Sequence, residues 1–308
     1  MSAAAHRRLI GRTWPPIEYE VGREKIREYA AVVGEQSPIY YQADEARAVG
    51  FRSVVAPPMF CAVYCAPAVA QAVFDPEVGI DRARFVHGEQ SFEWFAPVCA
   101  GDAVTTTCQI VEAYPKGDNA FYVFASESRN QRDEETMRAR YTGIVRGGAS
   151  DVIAGPGDGA DSGDRDRPSD RTLEPPPGLA EGAALPEFSV TPDRYVPHRY
   201  AGVSGDFTPI HLDAEFAQAV GMPGIILHGL YTMAIVARAQ VEGVGGDPRL
   251  LRTLRVQFRG VALPEVEIKV TSSVAAITDG VAIVKTRAVQ SEVEVIREGE
   301  AHIAREVS

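Results

Sequence analysis

The sequence lacks the marks of several large protein classes. No apolar run approaches the roughly 18 residues of a membrane span, and Met1–Gly11 has no apolar core of the kind a secretory signal needs. The expected compartment is therefore the cytoplasm, with no membrane partner. Only 4 cysteines occur in 308 residues, Cys61, Cys65, Cys99 and Cys108, and none forms a CxxC pair. A zinc ribbon or thioredoxin-like motif is unsupported. Cys61 and Cys65, four positions apart in an apolar run, read as packed free thiols on one helix face. Basic residues are in deficit: 31 Lys and Arg against 42 Asp and Glu give 31 − 42 = −11. Such a chain is a poor partner for nucleic acid or an anionic membrane. What remains, 45% hydrophobic and 24% charged, is globular composition. The length suits two domains of roughly 150 residues, each able to bury a core.

Composition changes abruptly between 148 and 186. This stretch holds 7 Gly and 6 Pro, and 3 Arg against 8 acids, a net of 3 − 8 = −5. It has too few core-forming residues to offset the entropy of ordering and reads as a flexible acidic linker. Its GPGDG run at 155–159 has no strand before it and no helix after it, so it is not a phosphate loop. The chain divides into 1–147, 148–186 and 187–308.

The flanking parts repeat each other. Residues 29–60 and 200–231 align without a gap at an offset of 171, with 11 of 32 positions identical, among them Tyr29/Tyr200, Gly34/Gly205, Pro38/Pro209, Ile39/Ile210 and Gly50/Gly221. Each copy has helical turns (23–34, 193–203), a Gly-x-x-x-Pro turn and a short helix (43–49, 214–220). A longer apolar helix follows (58–74, 229–242), with Met59, Val63, Ala66 and Val69, or Leu230, Met233, Val236 and Ala237, at helical spacing. Strand-like alternation comes next, over 89–96, 102–113, 119–129 and 136–146, and over 252–260, 265–276, 280–290 and 293–304. Turn residues at 116–119 and 278–280 predict hairpins. One long helix followed by an antiparallel meander predicts an α+β fold, a sheet wrapped around a helix.

The copies differ where chemistry would sit. Asp206, His211, His228 and Gly229 stand opposite Glu35, Tyr40, Pro57 and Pro58. A carboxylate and an imidazole converging across a proline-bent turn can share acid–base work on one water. A phenol of pKa near 10 in place of the imidazole cannot do so at neutral pH. Alone, Asp206 is also a common turn residue and His211 a common core histidine. The combination with Ser204, Pro209, His228 and Gly229 favours catalysis. His228 reads equally as a ligand contact or a packing residue. Tyr200 and Ser204 are expected to orient the loop, and His6, His87, His198 and His302, which have no partner pattern, to lie on the surface. Phe51, Met59, Phe60, Tyr64 and Val69 of the first copy read as an acyl tunnel or as core.

The run Tyr200-x3-Ser204-Gly205-Asp206-x-x-Pro209-Ile210-His211, followed by Ile226-x-His228-Gly229, resembles the signature of MaoC-like, (R)-specific enoyl-thioester hydratases, whose fold is the hot-dog. The first half resembles the degenerate hot-dog fused to such domains in fatty-acid dehydratases, through Gly11-Arg12, Pro15-Pro16, Tyr29, Gly34, Pro38-Ile39-Tyr40 and Ala56-Pro57-Pro58. Two departures are Thr208 in place of the usual Asn, and Pro264-Glu265-Val266 in place of Pro-Gly-Asp. The resemblance implies a double hot-dog, a non-catalytic copy before a catalytic one, with one active site near the interface of the copies. It implies reversible hydration of a trans-2-enoyl thioester of coenzyme A or acyl carrier protein, in fatty-acid, steroid or related acyl metabolism. Asp206 would activate water, His211 would relay a proton, and the Gly229 N–H would receive the thioester carbonyl. Tyr200, Ser204, Phe207, Pro209, His228 and Arg255 would contact substrate. No metal or redox cofactor is called for.

Arg249, Arg252, Arg255 and Arg259 form a basic cluster that suits a carrier's phosphates or acidic face, or that simply lies on a solvated strand edge. Two other readings stand beside hydration: a hot-dog thioesterase, and a non-catalytic acyl-thioester-binding subunit of a heteromeric dehydratase. Two copies in one chain mimic a dimer, which leaves room for chains to pair further into a homodimer.

Overall fold

The computed structural model describes residues 9–149 and 179–304. Most of the expected linker, residues 150–178, lies outside the described residues, as do the GPGDG run and His6. The end of that segment is laid on the sheet. Ala184 bridges Ser273, the Leu185 N–H donates to the Ser272 carbonyl (2.9 Å), and Leu185 is buried in the main core. A composition window averages away a single apolar anchor, so the second copy's structure starts earlier than 187.

The first copy runs Ile17–Glu20 (β1), Arg23–Val32 (α1), a 3-10 turn at Pro38–Tyr40, Ala43–Ala48 (α2), a second such turn at Pro58–Phe60, Cys61–Phe74 (α3), Phe85–Trp94 (β2), Ala103–Lys116 (β3), Asn119–Asn130 (β4) and Glu135–Val145 (β5). The second copy runs Phe188–Val190 (β6), Val196–Ser204 (α4), a 3-10 turn at Pro209–His211, Ala214–Ala219 (α5), Gly229–Gly243 (α6), a turn at Pro248–Leu250, Leu251–Phe258 (β7), Ile268–Thr278 (β8), Val281–Gln290 (β9) and Val293–Ala304 (β10). The short strands β1 and β6 were not foreseen, because 4 and 3 residues are too few for alternation to register. Strand β2 begins four residues earlier than its alternation suggests, a difference with consequences for His87.

The ten strands form one antiparallel sheet in the order β1-β3-β4-β5-β2-β7-β10-β9-β8-β6. The order reads the same from either end with the copies exchanged, so the duplication in sequence becomes a pseudo-two-fold in space. The seam is the β2–β7 pair, Glu89–Glu93 against Thr253–Gln257. Across it Arg255 grips both carboxylate oxygens of Glu89, at 2.7 and 2.8 Å.

Each half-sheet wraps its own central helix. Tyr231 through Ala237 of α6 are all buried, so this stretch of the helix has no polar face, and its charged pair Arg238–Glu242 falls in the last turns. The aligned Tyr29 and Tyr200 meet at the axis, ring centroids 6.1 Å apart. All four cysteines are buried and free. Phe51, Met59, Phe60 and Tyr64 are buried side chains of the first copy's core. The architecture is the expected double hot-dog.

Candidate active site

Three loops of the second copy are zipped together by backbone groups. The Ile226 N–H donates to the Ile210 carbonyl (3.2 Å) and the Leu227 N–H to the Ala262 carbonyl (2.7 Å). Two histidines complete the zip. His211 Nδ1 lies 2.9 Å from the Ile226 carbonyl, and His228 Nε2 lies 3.0 Å from the Asp206 carbonyl. A carbonyl only accepts, so each of these nitrogens carries the proton. That fixes both tautomers and leaves a lone pair on His211 Nε2 and on His228 Nδ1. The imidazoles stack at 3.8 Å with their planes 22° apart. His211 is 8% exposed and His228 2%.

Asp206 sits on an exposed turn, but its carboxylate points inward. One ligand atom from each of Asp206, His211 and His228 falls within 4.8 Å of the other two. Ser204 Oγ donates to the Tyr200 carbonyl (2.6 Å) and accepts from the Asp206 N–H (3.3 Å), which ties the Asp206 loop to the end of α4. Thr208 donates twice to Asp206 Oδ1, from its N–H (3.1 Å) and its hydroxyl (2.6 Å). The departure from Asn at this position thus keeps a side-chain donor. These three side chains are also the donor set a divalent cation would take. A carboxylate oxygen and a neutral imidazole nitrogen are equally two acceptors that suit the hydrogens of a water.

The electrostatics put both partners in acceptor form. Burial opposes the Asp206 charge, but the Thr208 hydrogen bonds and the two imidazoles hold the carboxyl below its usual range. Burial also lowers His211, against the Ile226 hydrogen bond and the charge of Asp206. Burial and the neighbouring His211 bring His228 down to about 4. At neutral pH the site holds one carboxylate and two neutral imidazoles.

A stability prediction follows. Below its unfolded pKa near 6.5, a histidine that stays neutral when folded binds more protons when unfolded. His87 (held near 3) and His228 (near 4) then each lower stability by at most about 1.4 kcal/mol per pH unit. Glu35, which burial raises to about 7, works in the opposite sense between 4.5 and 7. The histidines outnumber it, so calorimetric Tm is expected to fall between pH 7 and pH 5. A Tm that rises over that interval would contradict the neutral assignment.

Gly229 opens α6, with His228 as its N-cap residue in extended geometry. The first intrahelical donor is Thr232, whose N–H reaches the His228 carbonyl (3.1 Å). The Gly229 N–H is therefore one of the unused donors at a positive dipole end. A Cβ at Gly229 would lie 3.2 Å from the Phe258 ring, tight enough to move it.

The other expected substrate residues are scattered. Tyr200 is buried with its ring 4.9 Å from that of His228. Pro209 starts the 3-10 turn that carries His211. Phe207 is 63% exposed. Arg255 is taken up by Glu89 in the seam, and Arg249 and Arg259 pair with Asp247 and Gln257. In the first copy the corresponding place is closed to this chemistry. Glu35 is buried, the Tyr40 hydroxyl is buried without a partner, and Pro57 and Pro58 replace the histidine and glycine. Sequence reasoning missed His87, expected on the surface. It is partly buried between Tyr141 and Phe258, and Gly88 inside the strand was the available signal.

Residues 8–139 match the FAS1-like dehydratase domain region, and residues 183–296 match the MaoC like domain. The chain belongs to the MaoC-like dehydratases. A UPF0336 protein of Streptomyces avermitilis is 39% identical over 132 residues, 42% of this chain and 88% of that protein. A solved structure described as a MaoC-like dehydratase superposes with a TM-score of 0.81 at 23% identity, over 97% of this chain and 99% of its own. A Mycobacterium tuberculosis protein described as having a double hotdog fold gives 0.65 at 15% identity, over 95% of each chain. The two structural likenesses show the fold. Membership in the MaoC-like dehydratases supports a reaction of dehydratase or hydratase type.

Proposed function

We propose that the chain adds water reversibly to a trans-2-enoyl thioester of coenzyme A or acyl carrier protein, giving the (R)-3-hydroxyacyl thioester. The observation that carries this reading is the convergence of the Asp206 carboxylate with His211 and His228, one ligand atom of each within 4.8 Å of the other two, where His228 is the residue that precedes α6. Both Thr208 bonds fall on Oδ1, so Oδ2 is left for a water. That water donates one hydrogen to Asp206 and the other to His211 Nε2, and its lone pair then faces the third carbon of the acyl group. As the C–O bond forms, its proton passes to Nε2, and electrons move through the double bond onto the thioester oxygen. The Gly229 N–H receives that developing negative charge. The imidazolium then gives its proton to the second carbon, which restores the thioester and the neutral imidazole. Among the described residues the first copy has no such constellation, so one active site per chain is expected.

The test is loss of enoyl absorbance with purified chain and a chain-length panel of trans-2-enoyl-CoA thioesters. Hydration of at least one member is expected, with the length optimum naming the acyl class. Release of free thiol in place of hydration would overturn the reading in favour of a thioesterase. Binding without turnover, relieved by a second protein, would favour the subunit of a heteromeric dehydratase.

A further inference from the structure

The pairing of β2 with β5 slips by one residue between His87 and Glu89. Gly88 fills the slip, because a Cβ there would lie 2.5 Å from the Ile144 side chain. Bulges of this kind re-aim the adjoining side chain. His87 stacks on Tyr141 at 3.9 Å and lies 4.6 Å from the Phe258 ring. It stands just beyond the end of the seam, where Glu89 faces Gln257. Phe258 is also the ring against Gly229, and the charge of Asp206 acts on both His87 and Tyr141. The first copy therefore builds part of the wall beside the second copy's site. One polar atom in that wall is unused: His87 Nε2 is buried with no hydrogen-bond partner. Such an atom is costly to keep.

We propose that His87 is a substrate-positioning residue, whose Nε2 hydrogen-bonds an uncharged polar atom of the acyl thioester once the partly exposed Phe258 ring turns aside. This rests on the hydratase reading of the site. Burial brings the imidazole down to about 3, against hydrogen bonding to Gln90. At pH 7 it is neutral, neither an acid nor a counter-ion. It supplies one hydrogen bond and no charge, which fits an amide of the pantetheine arm or the 3-hydroxyl of the acyl group.

The test measures binding by calorimetry in the Asp206→Asn background, where nothing turns over. His87→Phe is expected to weaken a thioester about tenfold, and His87→Gln, which keeps a donor and an acceptor, to restore most of the affinity. Loss with both butyryl-CoA and (R)-3-hydroxybutyryl-CoA assigns the pantetheine amide, while loss with the hydroxy compound alone assigns the 3-hydroxyl. In the Asp206 parent chain the same change raises KM and leaves kcat within about twofold. Unchanged affinity for both ligands overturns the proposal, as does equal loss in the Phe and Gln variants, which would mean packing. If the Asp206→Asn background binds neither thioester, this proposal and the hydratase reading fall together. If it binds them but the unmutated chain hydrates nothing, the hydratase reading alone falls.

Discussion

Asp206→Asn is expected to lower kcat for hydration of the best enoyl-CoA by about 10³-fold. The substitution is isosteric, and the remaining carbonyl oxygen can still accept both Thr208 donors. What changes is the other atom of the group. An oxygen that accepts a hydrogen from water becomes an NH₂ that donates, so water is turned with its lone pair toward the protein and away from the acyl carbon. The negative charge that pulls on the departing proton is also lost. Stability is expected to change little, because the Asp206 turn is exposed and its hydrogen bonds persist. Steady-state kinetics and a thermal melt on one preparation separate the two effects. Wild-type kcat in a chain of unchanged Tm would remove Asp206 from the mechanism.

His211→Ala is expected to cost about 10²- to 10³-fold in kcat, together with measurable stability. The Ile226 carbonyl loses its buried donor, a loss of about 1–3 kcal/mol. His228 loses the ring stacked on it but keeps its own bond to the Asp206 carbonyl. Its Nδ1 has no partner and the residue belongs to the same cluster, so some activity is expected to survive through this second neutral imidazole. The pH profile discriminates. With His211 present, kcat/KM should fall on the acid side as the imidazole gains a proton and ceases to accept. Because burial lowers this group, that limb should lie below the usual histidine range. In the Ala variant the limb should move or vanish, and added imidazole should restore part of the rate. An unmoved limb would assign it to another group.

Much of this molecule is written locally. The gapless alignment of residues 29–60 with 200–231 gives two copies of one fold, because glycine, proline and apolar positions control turns and helices within a few residues of themselves. The same local spacing exposes Asp206, His211, His228 and Gly229 as a set, with Glu35, Tyr40, Pro57 and Pro58 as its disarmed counterpart. Helices α3 and α6 and eight of the ten strands lie close to their expected positions. The short strands β1 and β6 and the early start of β2 escape detection, since they are defined by partners distant in sequence.

The tertiary structure decided everything that depends on groups meeting across the seam. Arg255 reads from sequence as a carrier contact or as part of a solvated strand edge, and its ion pair with Glu89, 166 positions away, is invisible there. His87 reads as a surface histidine because nothing near it in the chain explains it, and its neighbour Phe258 arrives from the other copy. The tautomers of His211 and His228 were likewise undecidable from residue types, since they are fixed by the carbonyls of Ile226 and Asp206. The sequence by itself determined the duplicated fold and which copy carries the acid–base pair, because both are set by short-range spacing. Only the folded chain decided which proton each histidine holds and which residues of the first copy lie beside the second copy's loops. The first depends on contacts between loops of the second copy, and the second on the proximity that β2–β7 pairing creates between segments far apart along the chain.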